Sequence, residues 1–198
     1  MHRYAADRGV PPLVGRSFWR LPSRLPVETA CSHRSSICQV GIASFLNGKL
    51  MECVQTLVNP ETEFSALNVS IHGICPEHVA SCPTWRDFYP TFCKSINAHI
   101  LASHTFFDRE AVLGACMKYD LEMFECTQWI DTCAVARRTW PELPNHKLAT
   151  LAKYFGIEYR AHDAAEDARA AGEILLRSIE KKRTINTRTR VQKTAIFD

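Results

Sequence analysis

Ile37-Cys38-Gln39-Val40-Gly41-Ile42-Ala43-Ser44-Phe45 and Leu50-Met51-Glu52-Cys53-Val54-Gln55-Thr56-Leu57-Val58 are two runs rich in β-branched and apolar residues, with Asn47-Gly48 between them. A two-residue hairpin loop of type I′ needs φ > 0 at both central positions, which Asn and Gly tolerate, so this stretch predicts an antiparallel hairpin. Asn59-Pro60 ends the second strand, because proline has no N–H to give to a ladder.

Downstream of the hairpin, Asn68-Val69-Ser70-Ile71-His72-Gly73-Ile74 fits neither the helical nor the strand period, and Gly73 interrupts it, so it reads as a loop. Thr84 to Ile96 reads as a helix despite Pro90, and His99 to Ala102 as a short buried strand. Phe107 to Tyr119 has helical spacing, Thr127 to Ile130 reads as a strand and Leu148 to Phe155 as a helix; a long helix follows from Ala164 to Glu180. A hairpin followed by helices alternating with short strands predicts an α/β fold, a mixed β-sheet flanked by helices. At 198 residues and 46% hydrophobic, the chain fits a single domain.

The net charge of +3 is unevenly spread. Residues 1–24 hold five Arg against one Asp, residues 177–198 hold seven Lys/Arg against two acids, and the stretch between has 12 basic against 18 acidic side chains. Such an acidic centre excludes the broad basic face of a sequence-reading DNA-binding module. It suits a pocket whose carboxylates hold divalent cations, which in turn meet a phosphate. The ends read as solvated basic tails. Three segments follow: 1–26, basic and proline-containing; 27–180, the catalytic-sized domain; and 181–198, a basic tail.

No apolar run approaches the ~20 residues of a membrane span, and the first 20 residues lack the apolar core of a signal peptide, so a cytoplasmic protein without membrane contact is expected. The nine cysteines are odd in number and no two have C-x-x-C spacing; they are expected to be reduced thiols packed as small apolar groups. Trp85, Trp129 and Trp140 are read as packing residues.

Two acids sit on apolar helix faces. Asp108 shares its face with Val112 and Ala115, and Asp167 with Ala171 and Ile174, so both should point inward. A buried carboxylate is costly unless it is paired, hydrogen-bonded or bound to a cation; periodicity alone leaves these open. In His162-Asp163-Ala164-Ala165-Glu166-Asp167, Asp163 and Glu166 have the spacing of an N-cap and its capping-box partner, and are assigned that structural task. His162 is left just outside the helix, where an imidazole can take a proton from a metal-bound water or be an ordinary surface histidine.

Five segments in this order carry a resemblance: Glu28-Thr29-Ala30; Arg34-Ser35-Ser36-Ile37-Cys38-Gln39-Val40-Gly41; Ile71-His72-Gly73-Ile74; Ser103-His104-Thr105-Phe106-Phe107-Asp108; and His162-Asp163-Ala164-Ala165-Glu166-Asp167-Ala168. Over residues 27–180 the chain resembles the DEDDh 3′→5′ exonucleases, a family that includes the proofreading (epsilon-like) subunits of bacterial DNA polymerase III. The resemblance implies a ribonuclease-H-like fold and hydrolysis of phosphodiester bonds at nucleic-acid 3′ ends with two divalent cations, Mg²⁺ or Mn²⁺. It implies that Glu28, Asp108 and Asp167 are catalytic metal ligands and His162 is the general base. Thr29, His72 and Phe107 fall where family members approach the terminal nucleotide. Single-stranded DNA is the implied substrate and a DNA polymerase an implied partner.

The family's first motif reads Asp-x-Glu, whereas this chain has Pro26-Val27-Glu28. Pro26 cannot bind a cation. Leu21-Pro22-Ser23-Arg24-Leu25-Pro26 also puts two prolines where a buried central strand should begin, which predicts a poor strand. One explanation is degeneration to a nucleic-acid- or polymerase-binding module with impaired turnover; the other is a shifted frame or misplaced start before Val27. An exoribonuclease is a further alternative, since recognition of the 2′-hydroxyl is not legible here. Ser103-His104 stands where the family often has His-Asn, which is expected to change hydrogen bonds and leave the metal site intact.

Overall fold

The computed structural model describes residues 23–96, 100–126 and 128–194. The N-terminal segment up to Pro22, His99 and Thr127 of the expected strands, and the last four residues of the tail lie outside the described residues.

The hairpin forms as expected. Strands β3 (Ile37–Leu46) and β4 (Lys49–Leu57) pair antiparallel across Asn47 and Gly48, whose φ values of 52° and 78° are those a type I′ turn requires. The poor strand expected upstream is what forms: among the described residues of that segment only Ser23–Arg24 is strand, and Leu25-Pro26 breaks it. Two short strands, β1 (Ser23–Arg24) and β2 (Val27–Thr29), lie along the other edge of β3, with Arg24 opposite Ala43 and Val27 opposite Val40 in one register that shifts only between Glu28 and Thr29. The interruption is local, at Leu25-Pro26. Leu25 N–H still donates to the Ala102 carbonyl (2.9 Å), and the Pro26 carbonyl still accepts from Gly41 N–H (2.9 Å). Proline removes only a donor, and its acceptor is enough to keep the ladder here.

β5 (Ile100–Ser103) continues the sheet parallel to β1, and β6 (Gln128–Asp131) lies parallel to β5. The sheet is therefore mixed, in the order β2-β3-β1-β5-β6 with β4 on β3, and helices cover it. The main core lies between one face of the sheet and two helices, α3 (Trp85–Ile96) and α4 (Phe106–Lys118): Leu25, Val27, Val40 and Leu101 meet Trp85, Phe92, Val112 and Ala115. Pro90 is accommodated inside α3.

The loop expected over Asn68–Ile74 is instead a helix, α1 (Ala66–His72). Ser65 caps it by accepting from Asn68 N–H, and Gly73 ends it at φ 74° as a left-handed C-cap whose N–H bonds the Val69 carbonyl. None of its residues is buried, so it has no apolar stripe for a periodicity argument to find. The short α2 (Pro76–Val79) and α5 (Thr132–Thr139) were also not legible; α5 opens on Asp131, whose side chain accepts from Ala134 N–H.

On the opposite face, α7 (Ala164–Thr194) crosses β3, with α5 and α6 (Leu148–Phe155) packed beside it through Trp140, Leu151 and Ile174. The expected end at Glu180 is corrected: the helix runs through that boundary into the basic stretch read as a solvated tail. All nine cysteines are free. Trp85 and Trp140 are buried and Trp129 packs against the main core, as packing residues should.

Candidate metal-dependent active site

Alternation along the interrupted strand decides what reaches the site. Leu25 and Val27 turn into the main core, so Arg24, Pro26 and Glu28 fall on the opposite face, toward α7. All three line a cavity of about 440 Å³, along with Thr29, His72, Phe107, Asp108, His162 and Asp167. The seven residues expected to act are thus on one cavity wall, though they come from β2, α1, α4, α7 and the turn before α7.

Asp108 is 8% exposed in the first turn of α4, with Val112 and Ala115 fully buried on its face. Its Oδ1 accepts the backbone N–H of Val27 at 3.0 Å, tying α4 to the strand that carries Glu28. Asp167 lies one turn into α7 with Ala171 and Ile174 behind it. Glu28, His162 and Asp167 each bring one ligand atom to within 4.8 Å of the others, and His162 Nδ1 is 3.8 Å from Glu28 Oε1.

The carboxyls of this cluster hold their protons more tightly than ordinary ones. Burial, then Asp167, Asp108 and Asp163, push the Glu28 carboxyl up to about 8. Burial raises Asp108 to about 7 against the restraining hydrogen bond from Val27, and burial raises Asp167 to about 7 against that from the His162 backbone. Three crowded carboxyls that resist ionising together are relieved by a positive ion. Their hard oxygen donors suit a divalent cation such as Mg²⁺ or Mn²⁺. Pro26 contributes no donor. Near it Arg24 is fully buried, and desolvation lowers its pKa to about 9.

The turn before α7 is built around its caps. Asp163 accepts Glu166 N–H at 3.1 Å, as the N-cap reading requires, and Gln39 Oε1 on β3 accepts Ala164 N–H at 3.2 Å. The partner of Glu166 is Arg169, at 2.7 Å. His162 takes a left-handed backbone (φ 63°), and its side chain is 53% exposed at the cavity mouth.

Sequence reasoning missed Asn68. Its amide donates to the Thr29 carbonyl (2.8 Å), and His72 Nε2 meets the same oxygen at 3.1 Å while Nδ1 accepts from Ile74 N–H. The accepting Nδ1 leaves the proton on Nε2, so His72 is neutral and donates to Thr29; burial also lowers its pKa. The i, i+4 spacing of Asn68 and His72 was the available signal, hidden by the loop reading. His104 also lines the cavity; its nitrogens contact Thr132 Oγ1 (3.2 Å) and the His146 carbonyl (2.9 Å), while Ser103 Oγ receives Trp129 Nε1–H (2.8 Å). The substituted pair thus serves local hydrogen bonding.

A mixed sheet thus brings carboxylates from β2, α4 and α7 to one cavity. The chain belongs to the RNase T exonuclease family, whose sequence model matches residues 25–175. It is 28% identical over 196 residues to the PolC-type DNA polymerase III of Caldanaerobacter subterraneus subsp. tengcongensis, covering 96% of this chain and 14% of that protein. The Bacillus subtilis PolC-type polymerase is 27% identical over 147 residues, 73% of this chain and 10% of that one. This chain therefore spans about a seventh or less of these two relatives. Among solved structures, exonuclease X in complex with 5′-overhanging duplex DNA aligns with TM-score 0.66 at 20% identity, over 81% of this chain and 92% of that one. The nuclease domain of 3′hExo, a DEDDh family member bound to rAMP, aligns with TM-score 0.67 at 17% identity, over 80% and 90%. The fold is the ribonuclease-H-like fold of DEDDh exonucleases, and family membership brings divalent-metal use with it. Among the described residues no helix is long and apolar enough to cross a membrane.

Proposed function

We propose that this chain removes nucleotides from nucleic-acid 3′ ends, with single-stranded DNA as the preferred substrate, at the Glu28–Asp108–Asp167 site. The observation that carries the reading is the convergence of Glu28, His162 and Asp167 within 4.8 Å on the wall of a 440 Å³ cavity that Asp108 also lines.

Glu28 and Asp167, with Asp108 alongside, would hold Mg²⁺ or Mn²⁺. Divalent cations supply positive charge at the reacting phosphate and acidify bound water. The chain's own residues do the remainder. His162, open to solvent at the mouth, accepts the proton of the attacking water. Asn68 and His72 hold the Thr29 carbonyl, fixing the backbone against which the terminal nucleotide rests. Phe107, 38% exposed, offers a ring to the base. A DNA polymerase is the proposed partner, on the strength of the PolC-type relatives.

Pro26 favours a second reading, a module that binds 3′ ends and cuts slowly or not at all, because the donor set lacks the carboxylate two positions before Glu28. The two are separated with 5′-labelled single-stranded and 3′-recessed oligonucleotides, and an RNA of the same sequence, in Mg²⁺ or Mn²⁺. We expect slow stepwise shortening of the DNA, abolished by EDTA and by Asp167→Ala. Binding without any shortening by the chain or by its Pro26→Asp variant would leave the binding module as the function.

A further inference from the structure

The cavity is acidic where the phosphodiester must react, so the strand that leaves it needs a cation at the rim. Arg34 stands there. It lies in the turn between β2 and β3, and its guanidinium sits 5.0 Å from the centre of the Phe107 ring. Two neighbours in the same turn, Cys31 and Ser32, line the cavity with Phe107. The turn is seated firmly: the Ser35 backbone lies 3.5 Å from where a Cβ on Gly114 of α4 would be, and Ser36 donates to the His33 carbonyl at 2.6 Å.

Arg34 is held in waiting by Glu110, one turn beyond Phe106 on α4, at 2.7 Å. Both side chains are about half exposed (47% and 51%), so the pair is weak and its exchange for another anion is inexpensive. Guanidinium prefers the planar, bidentate geometry a phosphodiester offers, and it stacks on aromatic and base faces.

We propose that Arg34 is a strand-positioning residue: it releases Glu110 and takes the phosphate on the 5′ side of the penultimate nucleotide, one beyond the phosphodiester that reacts, while stacked on Phe107. This rests on the exonuclease reading above. It assigns a direction to the substrate, with the terminal nucleotide toward Thr29 and His72 and the rest of the strand leaving over Phe107 and the β2–β3 turn. The opposite exit passes Arg160, which is paired with Asp163 beside His162 and lines a second cavity of about 430 Å³ with Gln39 and Ser70.

Equilibrium binding of a fluorescent single-stranded octanucleotide, followed by anisotropy in Ca²⁺ at several salt concentrations, tests it on the full chain. Arg34→Ala should weaken binding about 5–10-fold and lower the slope of log K against log salt by about 1, and Arg34→Lys should restore part of the affinity. Glu110→Gln should tighten binding about twofold or more by freeing the guanidinium. Binding of a mononucleotide, which has no phosphate on the 5′ side of a second residue, should be unchanged in all three. If Arg34→Ala binds the octanucleotide like the parent, or if Arg160→Ala carries the loss instead, the strand does not leave over Phe107 and the proposal fails while the exonuclease reading stands. If the parent chain binds no oligonucleotide, the proposed function itself fails.

Discussion

Asp108 accepts the buried Val27 N–H while lining the cation cavity, and substitution can separate these two tasks. Asp108→Asn keeps an acceptor for Val27, so thermal unfolding should stay near that of the parent while nuclease activity drops at least ~100-fold. Asp108→Ala orphans the donor and should cost about 1–3 kcal/mol of stability in addition. Equal destabilisation by both variants would mean that the hydrogen bond does not join α4 to the strand.

The raised carboxyls make a pH prediction with a definite sign. Glu28, Asp108 and Asp167 bind protons more tightly folded (about 8, 7 and 7) than at their ordinary values of 4.5 and 3.8. Between about pH 4 and pH 8 the folded state therefore holds more protons than the unfolded one, and stability of the metal-free protein falls as pH rises through that window. Cations compete with those protons, so the rise in Tm given by Mn²⁺ should grow from pH 5 to pH 8. A Tm in EDTA that climbs over the same interval would show that the three carboxyls are not crowded as described.

Among the elements, the meeting of β3 with α7 sets the site. A Cβ on Gly41 would lie 2.1 Å from the Ala164 carbonyl oxygen, so only glycine lets the first turn of α7 approach the strand. Gly41→Ala should cost about 1–3 kcal/mol and, by displacing the turn that carries His162 and Asp167, lower activity further than the stability loss alone explains. Comparing residual activity well below the variant's Tm with that of Gly114→Ala, a site with ordinary van der Waals room, separates the two effects. α1 acts at the same scale: its exposed helix delivers Asn68 and His72 to one carbonyl oxygen, a task no burial pattern announces.

At the scale of the molecule, β1 and β2 keep one register across Leu25-Pro26 and their place in the sheet, so in the proposed function Pro26 withholds a donor without disturbing the architecture. Restoring a carboxylate should therefore succeed without refolding the sheet. Pro26→Asp is expected to tighten Mn²⁺ binding about tenfold by calorimetry and to raise the exonuclease rate by at least ~100-fold. No change in metal affinity would mean that the position does not reach the cation.

Much of this was legible in the linear chain because it depends on local chemistry. The hairpin followed from Asn47-Gly48, the inward aim of Asp108 and Asp167 from helical spacing, and the N-cap of α7 from Asp163. Those signals lie within a few residues of their effect. Other features needed the folded molecule, since their causes are far apart in sequence. The Leu25-Pro26 break keeps β1 and β2 in line because Ala102 and Gly41 supply backbone partners that no local propensity foresees. The α1 helix has no apolar stripe and is secured by its caps, and Arg34 meets Phe107 only because the β2–β3 turn rests on α4. The sequence by itself determined which residues can carry cation chemistry and which faces they occupy. The tertiary structure alone decided that they share one cavity, because convergence of β2, α4 and α7 depends on long-range packing and backbone pairing.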